Sequence, residues 1–382
     1  MSRPARLPAA RWATFAMFVA NGFGYGSWAT ALPSLKTMMA LSAAQLSWAL
    51  LAMSIGGVIA MQPASHFIQK MGGTGRATAQ LGFLYAAVVA LPLFAPNLLG
   101  LIIACAFVGG AICLMDVSMN AHASQVETEW GSAIMSSFHA GFSLGGLAGT
   151  GFGALMLSLH VPTRLLLVPV AAIILITVAV AARHLGPGDT QKHEQGPIFR
   201  LPEKSIALLA IVLTLCFMSE GAMADWSGIY LTGLGEAPAR AAAGYAAFSA
   251  MMVAGRLSGD VIVQRFGRPF VIGAGCALAA FGLILATALP HFYAIVIGFA
   301  FVGAGLSNVV PCVFSTAAAR ASSPAAGIAE VSTAGFGGFL SGPPLIGAVA
   351  AAYTMRSGIG VIAAAATLAA LFSLALRKKR QV

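Results

Sequence analysis

Charge is scarce in this chain. Only 8% of its 382 residues are Asp, Glu, Lys or Arg, against about 25% in soluble domains, while 59% are hydrophobic. That shortage excludes a soluble globule, because a folded domain of this size cannot hide so much apolar surface from water. Acids are scarcer than bases, 11 against 21, and the formal charge is +10. Cysteine is also sparse. Cys105, Cys113, Cys216, Cys276 and Cys312 all fall inside apolar runs and form no CxxC pair, so neither a disulfide nor a metal site is expected. HExxH is missing, and no Cys–His cluster stands at membrane depth, which argues against an enzyme. No cofactor is expected.

What is abundant is long apolar sequence. In lipid, only helices and closed barrels satisfy their backbone groups. A barrel needs short alternating segments, whereas these are long and apolar throughout. Six fall at 11–35, 43–68, 77–94, 98–121, 132–159 and 162–182, and six more at 205–231, 241–263, 269–289, 292–318, 326–352 and 358–376. The polar stretch HLGPGDTQKHEQGPIFRLPEK between the two sets reads as a linker. The expected fold is an all-α integral membrane protein with twelve transmembrane helices in two pseudo-symmetric halves. Its parts are a six-helix half at 1–183, a linker at 184–204 and a second half at 205–382. The apolar run that starts at Trp12 is too long for a signal peptide and is expected to be a retained first helix.

The placement of the bases orients the chain. With the N-terminus in the cytoplasm, sixteen Lys and Arg fall in inner loops and termini, and four (Lys36, Arg164, Arg240 and Arg356) fall outside; Arg256 lies within a segment. This is the positive-inside pattern. The basic excess is therefore a topology signal, and nucleic acid is not an expected partner. Both termini are expected in the cytoplasm, with the chain in an inner membrane.

The two halves repeat. Gln69-Lys70-Met71-Gly72 matches Gln264-Arg265-Phe266-Gly267 at an offset of 195, while Ala106-Phe107-Val108-Gly109 matches Ala300-Phe301-Val302-Gly303 and Ala140-Gly141-Phe142 matches Ala334-Gly335-Phe336 at 194. An even number of spans per half makes the repeats parallel, as in major facilitator transporters. DVIVQRFGRP resembles the superfamily's loop motif Gly-x-x-x-Asp-Arg-x-Gly-Arg-Arg, keeping Arg265, Gly267 and Arg268, and SHFIQKMGGT keeps Lys70 and Gly72. Gln69 and Gln264 replace the motif's Asp. The stretches LMDVSMNAHAS, SSFHAGFSLGGLAG and SEGAMADWSGIYL make the chain similar to the fucose-permease-like branch and its bacterial inner-membrane relatives. That resemblance implies proton-driven symport of a small polar solute, often a sugar. It also implies a central cavity lined by segments 1, 4, 7 and 10, and links the acid of segment 4, here Asp116, to proton coupling.

A charge at mid-membrane costs about 2.5–3.5 kcal/mol, so such residues read as functional or paired. Asp116 and Asn120 share a helix face, and no base lies nearby in their own segment. Proton coupling is expected at Asp116, Glu220 or His139. Substrate contact is expected from Asn21, Tyr25, Trp28, Asn120, Glu220, Trp226 and Asn308, since rings stack on sugar faces while amides and carboxylates bond hydroxyls. For Trp28, Trp226 and Tyr230 an outer aromatic belt is the alternative. Arg256 and Asp260, at i and i+4, suggest a local ion pair. They join Lys70, Arg265 and Glu330 as expected gating residues, with Glu330 read as opening its helix. Asp225 reads as a cap or gate nearer the outer face. Gly141, Gly145 and Gly149, like Gly338 and Gly342, suggest close packing, placed by the resemblance at a rocking seam between halves. The expected function is a secondary active transporter, proton-coupled, working as a monomer on a small-molecule solute. Proton-coupled export of a drug or metabolite stays open, as does, in another class, a channel or structural membrane protein.

Overall fold

A computed structural model describes residues 6–132, 134–186, 202–321 and 324–378. Among them there are helices and turns but no strand. The helices are α1 (Leu7–Met38), α2 (Ala43–Met61), α3 (Ala64–Lys70), α4 (Thr74–Val88), α5 (Leu98–Trp130), α6 (Met135–Ser158), α7 (Val168–Leu185), α8 (Ala207–Gly233), α9 (Pro238–Ala241), α10 (Ala243–Phe266), α11 (Arg268–Ala288), α12 (Phe292–Leu306), α13 (Val309–Arg320), α14 (Pro324–Ala352) and α15 (Met355–Lys378). The chain forms two compact units, Met1–Ala40 with Ala49–Gln195 and Leu41–Trp48 with Gly196–Val382. Of the expected linker, residues 187–201 lie outside the described residues.

Ten helices among the described residues are long and apolar enough to cross a membrane, with α12 and α13 counted as one span. Two more, α1 with 32 residues and α10 with 24, have the length but are more polar. A span needs about 20 residues. Buried Asn21, Ser27, Thr30 and Ser34 dilute α1, while α10 carries Arg256 and Asp260. These two polar helices complete twelve spans.

Local chemistry sets the ends. Asn97 caps α5, its side chain accepting from the Gly100 N–H at 2.9 Å. Gly131, at φ 76°, closes the other end, where Glu127 accepts from the N–H groups of Ile134 and Met135 at 2.6 Å each. That carboxylate meets the positive end of α6. Two expected spans are interrupted. The segment expected at 43–68 breaks after Met61, just before Pro63. The one expected at 292–318 breaks at Ser307–Asn308, because Pro311 has no N–H to give the Ser307 carbonyl.

The sequence repeats have a structural meaning. Within the first unit, a Cβ on Gly109 would land on the carbonyl oxygen of Met53 in α2. Within the second, a Cβ on Gly303 would land on that of Phe248 in α10. The repeated Ala-Phe-Val-Gly thus marks the same backbone contact twice. The glycines at four-residue spacing pack against helices of their own unit. Gly145 and Gly149 meet the Val19 and Phe23 carbonyls of α1, and Gly338 meets that of Thr214 in α8. Hydroxyls lace the same crossings: Ser27 donates to the Gly149 carbonyl at 3.1 Å and Thr214 to the Ala334 carbonyl at 2.8 Å. The expected close packing is present within each unit.

Candidate functional site

Each unit carries its own polar cluster. In the first, α5 exposes Asp116, and the Asn120 amide donates to its carboxylate at 3.1 Å and to its main-chain oxygen at 2.9 Å. Among the described residues no base pairs with Asp116. Asn21 of α1 is buried against α5 one residue before Asn120. Its amide donates only to the Met119 sulfur at 3.8 Å, and its Oδ1 has no partner. Sulfur is a weak acceptor, so Asn21 keeps most of its hydrogen-bonding capacity unspent. Tyr25 lies one turn on, its ring 6.0 Å from Phe142. Trp28 is 3% exposed and its Nε1 has no partner, which places it inside the unit and not in an outer belt. His139 is exposed, edge-on to Phe18 at 5.4 Å.

In the second unit, α8 and α10 bring Glu220 and Arg256 together, Oε1 to Nη2 at 3.9 Å, with side chains 23% and 18% exposed. Arg256 therefore reaches beyond its own helix. The side chain of Asp260 lies outside the described residues. Tyr245 of α10 hydrogen-bonds Ser249 and interacts electrostatically with Glu220, Asp225 and Arg256. Trp226 is fully buried with Nε1 unpartnered, and the neighbouring Ser227 hydroxyl also lacks a partner. The Tyr230 hydroxyl donates to the Ala286 carbonyl at 3.0 Å, inside the unit. The belt alternative therefore fails for all three aromatics. Asn308 stands at the α12–α13 break. Its amide donates to the Gly255 carbonyl at 2.8 Å and to the Ser307 hydroxyl at 3.1 Å, tying the break to α10.

Lys70 ends α3 and is exposed. Arg265 lies exposed at the end of α10, its guanidinium 5.4 Å from the Phe266 ring. Glu330 does not open its helix, because α14 begins at Pro324. It is buried, and its Oε2 accepts from the Glu203 N–H at 2.9 Å.

Two residues were not anticipated. Tyr245 could have been found, since Tyr245, Ser249 and Arg256 recur at i, i+4 and i+11 on one helix face. His122, inside LMDVSMNAHAS, is buried, with Nδ1 3.2 Å from the Thr74 hydroxyl and Nε2 unpartnered. The run GFSLG at 141–145 fits the spacing of a nucleophile elbow, yet it lies in mid-helix, with Ser143 donating to its own helix at His139. It is no elbow. Among the described residues no group of three or more His, Cys, Asp or Glu could hold a metal.

Comparison with known proteins places these clusters in a family. A family model described as Major Facilitator Superfamily matches residues 14–329. An uncharacterized MFS-type transporter of Yersinia pestis is 33% identical over 350 residues, covering 91% of this chain and 90% of that one. Membrane protein MosC of Rhizobium meliloti is 31% identical, covering 95% and 89%. Among solved structures, a point mutant of the nucleoside transporter NupG superposes with a TM-score of 0.79 at 13% identity, over 96% of this chain and 99% of that one. A bacterial homolog of the human lysosomal transporter Spinster, inward-facing and unoccupied, gives 0.76 at 12%, over 97% of each. The structural likeness speaks for the fold and the sequence relatives for the lineage, and together with the matched family they make the chain a multi-pass membrane transporter of the Major Facilitator Superfamily.

Proposed function

We propose that the protein is a proton-coupled secondary transporter of a small polar solute in the inner membrane, working by alternating access. The observation that carries this reading is Asp116, a carboxylate in mid-span whose partner is the Asn120 amide and not a base. A neutral partner leaves the proton free to come and go. A group with different proton affinity in two conformations couples a gradient to the conformational cycle; one with equal affinity in both couples nothing. The solute contacts in this reading are Asn21, Tyr25, Trp28, Asn120, Glu220, Trp226 and Asn308. Of these, Asn21, Trp28 and Trp226 hold polar atoms that a solute hydroxyl or carbonyl would satisfy. Glu220 and Asp225 against the single base Arg256 favour a neutral or cationic solute over an anion.

Asp116→Asn tests the coupling in proteoliposomes. The variant mimics the protonated form. It should lose accumulation against a concentration gradient while exchanging solute at equal concentrations at close to the wild-type rate. An Asp116→Asn protein that still concentrates solute when a pH gradient is imposed would remove Asp116 from the coupling step. Right-side-out and everted vesicles distinguish uptake from export.

A further inference from the structure

At one end of the second unit, the turn between α10 and α11 and the last residues of α13 enclose an open cleft of about 390 Å³. Gly267, Arg268 and Pro269 form one wall; Thr316 and Arg320 form the other. Gly267 has φ 77°, a left-handed conformation that suits glycine and turns the chain sharply into α11. The turn sets Arg268 on the first residue of α11, close enough to α13 to act electrostatically on Cys312. Arg320 is the last residue of α13, so two guanidiniums from different helices line one cleft. None of the lining residues is acidic, and among the described residues neither arginine has a carboxylate partner. The first turn of the 21-residue α11 opens at the rim, and its unpaired N–H groups add positive potential.

Two unpaired arginines on a cleft of this size suit a phosphate-bearing anion, which a guanidinium binds by two parallel hydrogen bonds. The surroundings indicate where that anion comes from. Phe266 and Phe270 flank the turn, stacked at 5.2 Å and exposed by 50% and 42%. Further along α10, Leu257 and Val261 are 73% and 69% exposed. A basic cleft at the end of membrane spans, beside exposed apolar side chains, matches a lipid whose headgroup meets the bases while its chains lie along the helices. We propose that this cleft binds the phosphodiester headgroup of an anionic phospholipid through Arg268 and Arg320.

The test compares melting temperatures of the intact protein in nanodiscs of phosphatidylcholine, with and without phosphatidylglycerol. Wild type should melt higher with phosphatidylglycerol. Arg268→Gln/Arg320→Gln should melt like wild type in phosphatidylcholine alone and lose most of that gain. Arg183→Gln, which removes a charge at an exposed position in the first unit, should keep it. A double variant that retains the full gain overturns the site. Inorganic phosphate added to phosphatidylcholine nanodiscs should give no gain; if it reproduces the effect, the cleft takes free phosphate and the lipid assignment is wrong. Should the double variant not fold, native mass spectrometry of wild type from mixed lipid decides. It should retain phosphatidylglycerol over phosphatidylcholine, and equal retention overturns the proposal.

Discussion

Glu220 and Arg256 meet at the edge of salt-bridge range, 3.9 Å, each less than a quarter exposed. At that separation the pair contributes modestly to stability, ~1 kcal/mol for a partly solvated ion pair. Its weight in function should be larger, because a charge within a span is costly and loses compensation when a partner is removed. Glu220→Gln should therefore weaken solute affinity while the protein remains folded in detergent. Combining it with Arg256→Gln should cost less than the two single changes together, with a coupling energy of ~1 kcal/mol measured as a double-mutant cycle on solute affinity. Strict additivity would mean that the two residues act apart. The cluster is only partly legible in the sequence. Asp116 and Asn120 can be paired from spacing alone, because one helical turn fixes their geometry. The contact of Arg256 with Glu220 cannot, since it depends on how α8 crosses α10. For Trp28 and Trp226 the belt alternative survives in the sequence for a similar reason: neither α1 nor α8 has a distinct polar face, so there is no phase from which to read which side is buried.

Among the elements, α1 and α6 cross closely. Gly149 faces the Phe23 carbonyl directly, while Gly151, two residues on, has open space around it. Gly149→Leu should lower the melting temperature in detergent, as overpacking of ~1–3 kcal/mol implies. Gly151→Ala should leave melting unchanged or raise it slightly, by up to ~1 kcal/mol from the lower backbone entropy of alanine. Equal sensitivity at the two positions would mean that the crossing is not as close as described. The small-xxx-small spacing announces a close contact, but spacing alone does not name the partner helix. Only the structure names α1 and α8 as the partners. The break at Ser307–Asn308 is legible in principle from Pro311; what the sequence hides is that Asn308 then uses its amide to tie the break to Gly255.

For the whole molecule, the distribution of Lys and Arg predicts a cytoplasmic N-terminus, linker and C-terminus. Reporter fusions within 184–204 and after Arg380 should both report cytoplasm, and an external signal at either position would break the topology. The twelve spans are countable from hydropathy, and ten of them are plain in the structure by the same criterion. The remaining two, α1 and α10, carry Asn21 and Arg256, so a weak hydropathy signal can itself point to candidate functional residues, while Asp116 and Glu220 sit in spans that hydropathy finds easily. The repeated Ala-Phe-Val-Gly has a longer reach. Gene duplication ordinarily leaves a spare, free to drift while its twin keeps the old job. Gly109 and Gly303 were denied that freedom, because each is pressed against the backbone of a different helix, Met53 for one and Phe248 for the other. Neither can compensate for the other, so an ancestral constraint became two, and that is why so short a match can outlast the divergence around it.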